Sequence, residues 1–271
     1  MPNPSEFWYV YGVAPASIDL GRAPEGLDDA ALELCVEGAL AAVASRLDGA
    51  QYAPSEIERS TEDVEWLAPR AVAHDRVLTW MSDIGPVVPL PIFSLFSTQH
   101  AVTKMLRDRR NELEAALRHV AKGREYALRV YRIDHELTAV ATELSPRLAQ
   151  LQEEAAAASP GQRYLLERKL DTERKSELHG IGAKVARDVL TTLGSFAIET
   201  AETRIAQRSA RPGAEGMLVL DAAFLVAPEM LQDFQRQLTE IVTRHSSRGF
   251  RFDFTGPWPP YHFVQRETAS A

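Results

Sequence analysis

The alternation of apolar and polar positions divides this chain into two mixed regions. Phe7–Val13 is almost wholly apolar and aromatic, the pattern of a strand covered on both faces. The Pro-, Gly- and Asp-rich stretch APASIDLGRAPEGLDD that follows reads as loop. Leu32–Val36 and Leu40–Val43 flank Glu37-Gly38, which predicts a tight hairpin, with helix as the competing reading because the stretch is rich in Ala. Residues 54–84 read as helix broken at Pro69, with Ala73, Val77, Trp80 and Ile84 on one face. Pro86–Phe96 reads as a proline-punctuated peripheral strand, and 98–122 as a charged helix stopped by Gly123.

Beyond Gly123 the period changes again. Tyr126–Ile133 alternates as a strand. Leu137, Ala141, Leu144, Leu148, Leu151 and Ala155 form the seam of a short coiled coil, interrupted at Ser145-Pro146 by a kink or a fresh helix cap. Ser159-Pro160-Gly161 turns the chain, and Tyr164–Leu193 returns as a helix dense in charges of both signs. Phe196–Ala206 and Met217–Val226 read as strands joined by RSARPGAEG, residues from Pro228 as a helix ended by Gly249, and Phe250, Phe252 and Phe254 as one face of a last strand. The predicted fold class is therefore α+β with two domains. Residues 1–123 form a modified mixed α+β sheet domain. Residues 124–271 form a ferredoxin-like (split βαβ) domain carrying a long inserted helical hairpin, at about 134–193.

Charge and composition narrow the function classes. Lys plus Arg total 30 against 38 Asp plus Glu, a net charge of −8 whose long-range field repels phosphate backbones. The single cysteine, Cys35, allows no intrachain disulfide and reads as a small buried hydrophobe. The N-terminus has neither a basic region nor a long apolar run, so no signal peptide is expected, and no apolar stretch is long enough for a bilayer. A soluble cytoplasmic protein is the expectation.

Candidate chemistry is sparse. RGFRFDFT matches an RNA-stacking signature at Arg248, Gly249, Phe250 and Phe252, but Arg251 stands where a small residue lets a base approach. Pro257-Trp258-Pro259-Pro260 is formally PxxP, yet its neighbouring aromatics favour a stiff segment folded back on its own domain. The seven histidines show no metal-ligand spacing, and Asp134-His135-Glu136 reads as a helix cap. Gly180-Ile181-Gly182 lacks the third glycine and the preceding strand of a dinucleotide loop. Asp221 interrupts an apolar run and needs either water or a partner. Neither catalytic residues nor a cofactor are expected, and the chain reads as a non-enzyme.

Gly256-Pro257-Trp258-Pro259-Pro260-Tyr261, followed by Phe263-Val264, resembles the C-terminal hallmark of the gas vesicle protein F/L family. Tyr9-Val10-Tyr11-Gly12-Val13 is similar to that family's first strand. The blocks His74–Leu78, Val87–Pro91, Tyr164–Lys169 and Val219–Val226 agree with it in order. The chain departs at Asp221, where Asn is usual, at His262, where a small polar residue is common, and at Pro91–Phe96, which lacks the family's Arg and Gly. The resemblance implies an accessory protein of gas vesicle assembly or nucleation. Its partners would be the small, very hydrophobic shell protein and other accessory proteins, with no nucleic acid, membrane or cofactor. Tyr9, Tyr11 and Gly256–Tyr261 are the signature and candidate partner-contact residues. A generic scaffold that never touches the shell protein is the alternative, and RNA binding through the last strand a remote one. F-type and L-type members are not distinguished.

Overall fold

The computed structural model describes residues 5–203 and 216–264. The fold is α+β in two compact units. The first comprises the described residues up to Glu125 together with those from Trp258, and the second runs from Tyr126 to Pro257. This differs from a single cut at Gly123, because the closing segment belongs with the N-terminal unit and not with the domain that precedes it in sequence.

The first unit is built on β1 (Glu6–Pro15), β2 (Glu33–Glu37), β3 (Leu40–Asp48), β4 (Val88–Pro89) and β5 (Leu95–Phe96). The sheet order is β2-β3-β1-β4, with β5 also on β1. The β2–β3 hairpin turns at Gly38, whose φ of 62° suits glycine. Strand β1 is covered on both faces, as its apolar run implies. Phe7, Tyr9 and Tyr11 pack with Val77, Leu78 and Met81 of a helix, whereas Val10 and Val13 pack with Val102, Leu106, Leu113 and Leu117. A register shift between Val10 and Gly12 bends β1. Gly12 allows close approach there, since a Cβ would crowd the Val88 carbonyl oxygen at 3.0 Å and Leu78 at 3.1 Å.

The helices are α1 (Pro54–Ser60), α2 (Val64–Ile84), α3 (Gln99–Asp108) and α4 (Arg110–Val120). The expected break at Pro69 is absent. It falls before α2, where the Asp63 side chain accepts from the Glu65 N–H and caps a new start. Pro69 sits early in α2. The expected strand Pro86–Phe96 also shrinks to the bridges β4 and β5, because three prolines withdraw N–H donors and Phe93 takes a positive φ of 64°. The expected single helix at 98–122 is divided at Arg109.

In the second unit the order is β6 (Arg124–Arg132), α5 (Asp134–Leu144), α6 (Pro146–Ala157), α7 (Pro160–Gly194), β7 (Glu199–Glu202), β8 (Met217–Val226), α8 (Leu231–His245) and β9 (Phe250–Trp258). The sheet order is β7-β8-β6-β9. Ser145 resolves the interruption as a cap: its hydroxyl accepts from the Leu148 N–H and donates to Glu177 across on α7. Arg147 pairs with Glu173, so α7 returns along α6. One apolar core gathers Leu128, Val130, Phe224, Val185, Val189 and Phe234 from strands and helices. Gly182 lets α7 close on the sheet, where a Cβ would stand 3.3 Å from both Arg132 Cδ and Val219 Cγ1. The expected strand Phe196–Ala206 is confined to β7, and its residues 204–206, with 208–215 of the predicted loop, lie outside the described residues. No described helix is long and apolar enough to cross a membrane.

Candidate partner-binding surface

The two signature tyrosines of β1 serve the interior. Tyr9 and Tyr11 are fully buried, with ring centroids 4.8 Å apart, edge to face. The Tyr9 hydroxyl is hydrogen-bonded to His74 Nδ1 at 2.6 Å, and the Leu90 backbone also interacts with that imidazole. Burial holds His74 neutral, pushing its pKa down to about 4. The Tyr11 hydroxyl accepts from the Leu27 N–H at 2.7 Å and bonds Ser45 Oγ at 3.1 Å. Together these bonds fasten the loop after β1 onto the sheet. The same loop is tied again by Asp28, which accepts from Tyr52 and pairs with Arg70, itself 4.2 Å above the Trp66 ring. Sealed in this way, Tyr9 and Tyr11 are not accessible to a partner.

The closing segment behaves differently. The Gly256–Pro257 peptide is cis, and Gly256 has a φ of 124°. Pro259, Pro260 and Phe263 are buried, which removes the PxxP run as an exposed ligand. Trp258 is 38% exposed and Tyr261 39% exposed. The segment is not folded back on the 124–271 domain as expected, since from Trp258 it belongs to the first unit. The Tyr261 hydroxyl donates to Asp75 of α2 at 3.2 Å, within the first unit. The anchor beneath is Glu125, buried, accepting from the His262 N–H at 3.1 Å and bonding His262 Nδ1 at 2.7 Å. Alongside, Arg124 donates to the Ser82 carbonyl at the end of α2. A burial cost for the Glu125 carboxylate is thus offset by two hydrogen bonds.

Between this segment and α2 lies a pocket of about 150 Å³ lined by Trp258, Pro260, Pro86 and Arg124. Pro86 and Gly85 also border a groove of about 620 Å³. Ile18, Trp80, Met81 and Ile84 make its apolar wall, and Asp19 and Arg22 are among its polar lining. Ile84 is 51% exposed at the groove's edge. The first unit therefore presents a run of accessible apolar and aromatic side chains next to the anchored closing segment. The helical period marked Trp80 and Ile84 as one face of a core helix; that they line an open groove depends on Gly85-Pro86 ending α2 and on the loop after β1. Asp75 and Glu125, which hold Tyr261 and His262, carry no local signal of that role.

The remaining candidates resolve separately. Phe250 is buried, Phe252 packs against the core, and Phe254 stacks on Tyr126 at 5.5 Å and lies 5.8 Å from Phe234. These rings are not laid open for bases. Asp221 finds its partner in Arg129, at 3.1 Å. Asp134 does not cap its helix by its side chain but bonds Arg132 at 2.6 Å. Cys35 is buried, and desolvation raises its thiol to about 11. Among the described residues no group of three or more His, Cys, Asp or Glu is placed to hold a metal ion. The arrangement suits binding of an apolar surface.

Comparison with known proteins agrees with the sequence blocks. Residues 7–265 match the family model described as gas vesicle synthesis protein GvpL/GvpF. Gas vesicle protein L of Streptomyces sp. (strain CB03234) is 29% identical over 261 residues, covering 94% of this chain and 92% of that protein. Gas vesicle protein L2 of Halobacterium salinarum is 26% identical over 212 residues, covering 75% and 73%. The crystal structure of gas vesicle protein GvpF from Anabaena sp. PCC7120 superposes with a TM-score of 0.71 at 19% identity, covering 96% of this chain and 99% of that one. That of GvpF from Microcystis aeruginosa gives 0.65 at 18% identity, with coverage of 96% and 99%.

Proposed function

The chain belongs to the GvpL/GvpF family of gas vesicle synthesis proteins, and from that premise we propose that it is an assembly factor that binds the small hydrophobic shell protein through the first unit. The observation that carries this reading is the apolar groove walled by Trp80, Met81 and Ile84 and continued by Trp258. A shell subunit must keep an apolar surface out of water until it joins the wall, and an accessible groove on an acidic carrier offers that cover. Aromatic side chains at such sites carry a large share of binding energy. The protein acts in the cytoplasm, without catalysis and without a cofactor. The second unit, read as a ferredoxin-like core with a helical hairpin, is left free for other accessory proteins; its sheet order β7-β8-β6-β9 supports that reading.

The test is capture of purified, detergent-dispersed shell subunit by the full chain, with Trp80→Ala and Ile84→Glu each compared with Arg147→Ala on the second unit. Loss of capture by about tenfold or more is expected for the groove variants, corresponding to about 1.4 kcal/mol. Equal capture by every variant refutes the groove, and no capture by the parent chain refutes the function and favours a scaffold that never touches the shell protein.

A further inference from the structure

The second unit holds a cleft that the reading above leaves unused. It has a volume of about 260 Å³ and lies along α7 and α8. Its apolar lining includes Val185, Val189, Ile241 and Phe250, all buried. Lys184, Arg244 and Arg248 line it too, with His245, against the single carboxylate of Asp188. The cleft thus carries three cations and His245 against one carboxylate, on a chain whose net charge is −8.

The cations are also uncommitted. Elsewhere on the helices of this unit Arg147 pairs with Glu173, Arg174 with Asp171 and Arg236 with Asp233. Lys184, Arg244 and Arg248 have no ion-pair partner among the described residues. Two of them act on His245, whose pKa is lowered first by burial and then by Arg248 and Arg244, against the opposing field of Asp188. Lys184, Arg244 and Arg248 are solvent-exposed and stand at the rim of an apolar floor, an arrangement that offers charge-assisted donors to an anion.

We propose that this cleft docks a segment of a partner protein that presents a carboxylate beside a large apolar side chain. The carboxylate is held by Arg244 and Arg248, which offer planar forks of donors, and the apolar group lies on the partly exposed Leu144 and Ile181. Free phosphate satisfies only the rim, leaving the floor wet. A cleft of this volume sits just below the range of about 300–1,000 Å³ usual for small-molecule sites, and accommodates one or two side chains. Nucleic acid is disfavoured by the chain's net charge of −8 and by the absence of exposed stacking rings in the cleft lining.

The experiment uses the full chain and a fluorescein-labelled amphipathic helical peptide with glutamate and leucine on one face. A twin with glutamine for glutamate, and inorganic phosphate alone, serve as comparison probes. Binding of the glutamate peptide is expected, weakened at least tenfold in the twin and in the double variant Arg244→Ala/Arg248→Ala, and weakened less in Arg244→Lys/Arg248→Lys, which keeps the charge but not the planar forks. The His245 imidazole, followed by NMR, should titrate at higher pH with the peptide bound. Shell-subunit capture should be unchanged in the double variant, which separates this site from the groove of the first unit. No binding of the glutamate peptide, equal binding of the twin, or full displacement by millimolar phosphate overturns the proposal. So does sedimentation showing that the parent chain self-associates and the alanine double variant does not, since the cleft then holds a second copy of this chain.

Discussion

The buried His74 makes the first unit sensitive to acid, by an amount that follows from its surroundings. In the unfolded chain its imidazole takes up a proton near pH 6.5; in the fold, burial delays this to about pH 4. The unfolded state therefore binds more protons throughout this window, and stability falls as pH falls. The contribution is fully present above pH 6.5, declines at up to about 1.4 kcal/mol per pH unit, and levels off below pH 4 after a loss of about 3 kcal/mol. Substituting His74→Gln keeps a hydrogen-bonding side chain beside the Tyr9 hydroxyl and the Leu90 backbone but removes the titration. The assay is urea unfolding followed by tryptophan fluorescence between pH 7 and 4. All four tryptophans, Trp8, Trp66, Trp80 and Trp258, lie in the first unit, so the signal reports that unit alone. Carboxylates also contribute to acid loss, so the informative quantity is the difference between the two proteins. The variant starts less stable at pH 7 and loses about 3 kcal/mol less on acidification. Parallel stability curves for the two proteins would refute the argument.

Three further outcomes follow from close packing. Gly26→Ala drives a Cβ into the Tyr11 hydroxyl and Ser45 Oγ; a loss of about 1–3 kcal/mol in the same fluorescence assay is expected, and an unchanged midpoint would contradict the tight seat of the loop. On α7, Gly182→Val should destabilise the second unit by about 1–3 kcal/mol because Arg132 and Val219 occupy the space, whereas Gly180→Ala, open on all sides, should stabilise it by up to about 1 kcal/mol; circular dichroism melts distinguish the two signs. Phe254→Ala removes a ring stacked on Tyr126 and near Phe234, for which about 2–3 kcal/mol is expected, since Phe254 is only partly buried; hydrogen exchange along β6 and β9 should rise accordingly.

What the sequence conveyed was the local period. Met217–Val226 is a strand with the bounds its apolar run suggests, and the Glu37-Gly38 hairpin forms where a positive φ is needed. The family blocks pointed to the family. Proline was the less dependable guide. Pro69 did not break α2, since a capping Asp63 upstream offered a better start, while three prolines between Pro86 and Phe96 reduced a predicted strand to two short bridges. Least legible was where the closing segment goes. Trp258 and Tyr261 called for apolar cover, but the residues that anchor the segment, Asp75 under Tyr261 and Glu125 under His262, are distant from it in sequence and ordinary in their local pattern. Tyr9 and Tyr11 read as contact candidates because a motif records that residues are present, whereas only packing records which way they face.

Because the chain leaves the first unit at Glu125 and re-enters it at Trp258, the second unit is an insertion within the first. During synthesis the ribosome therefore delivers every residue of the inserted unit before it delivers the His262 that meets Glu125. The inserted unit can mature on the nascent chain, and the unit that was begun earlier is completed last. A fragment ending at residue 125 would be a truncated unit with its Glu125 carboxylate unmatched, so dissecting this protein calls for excising its middle and rejoining the flanks.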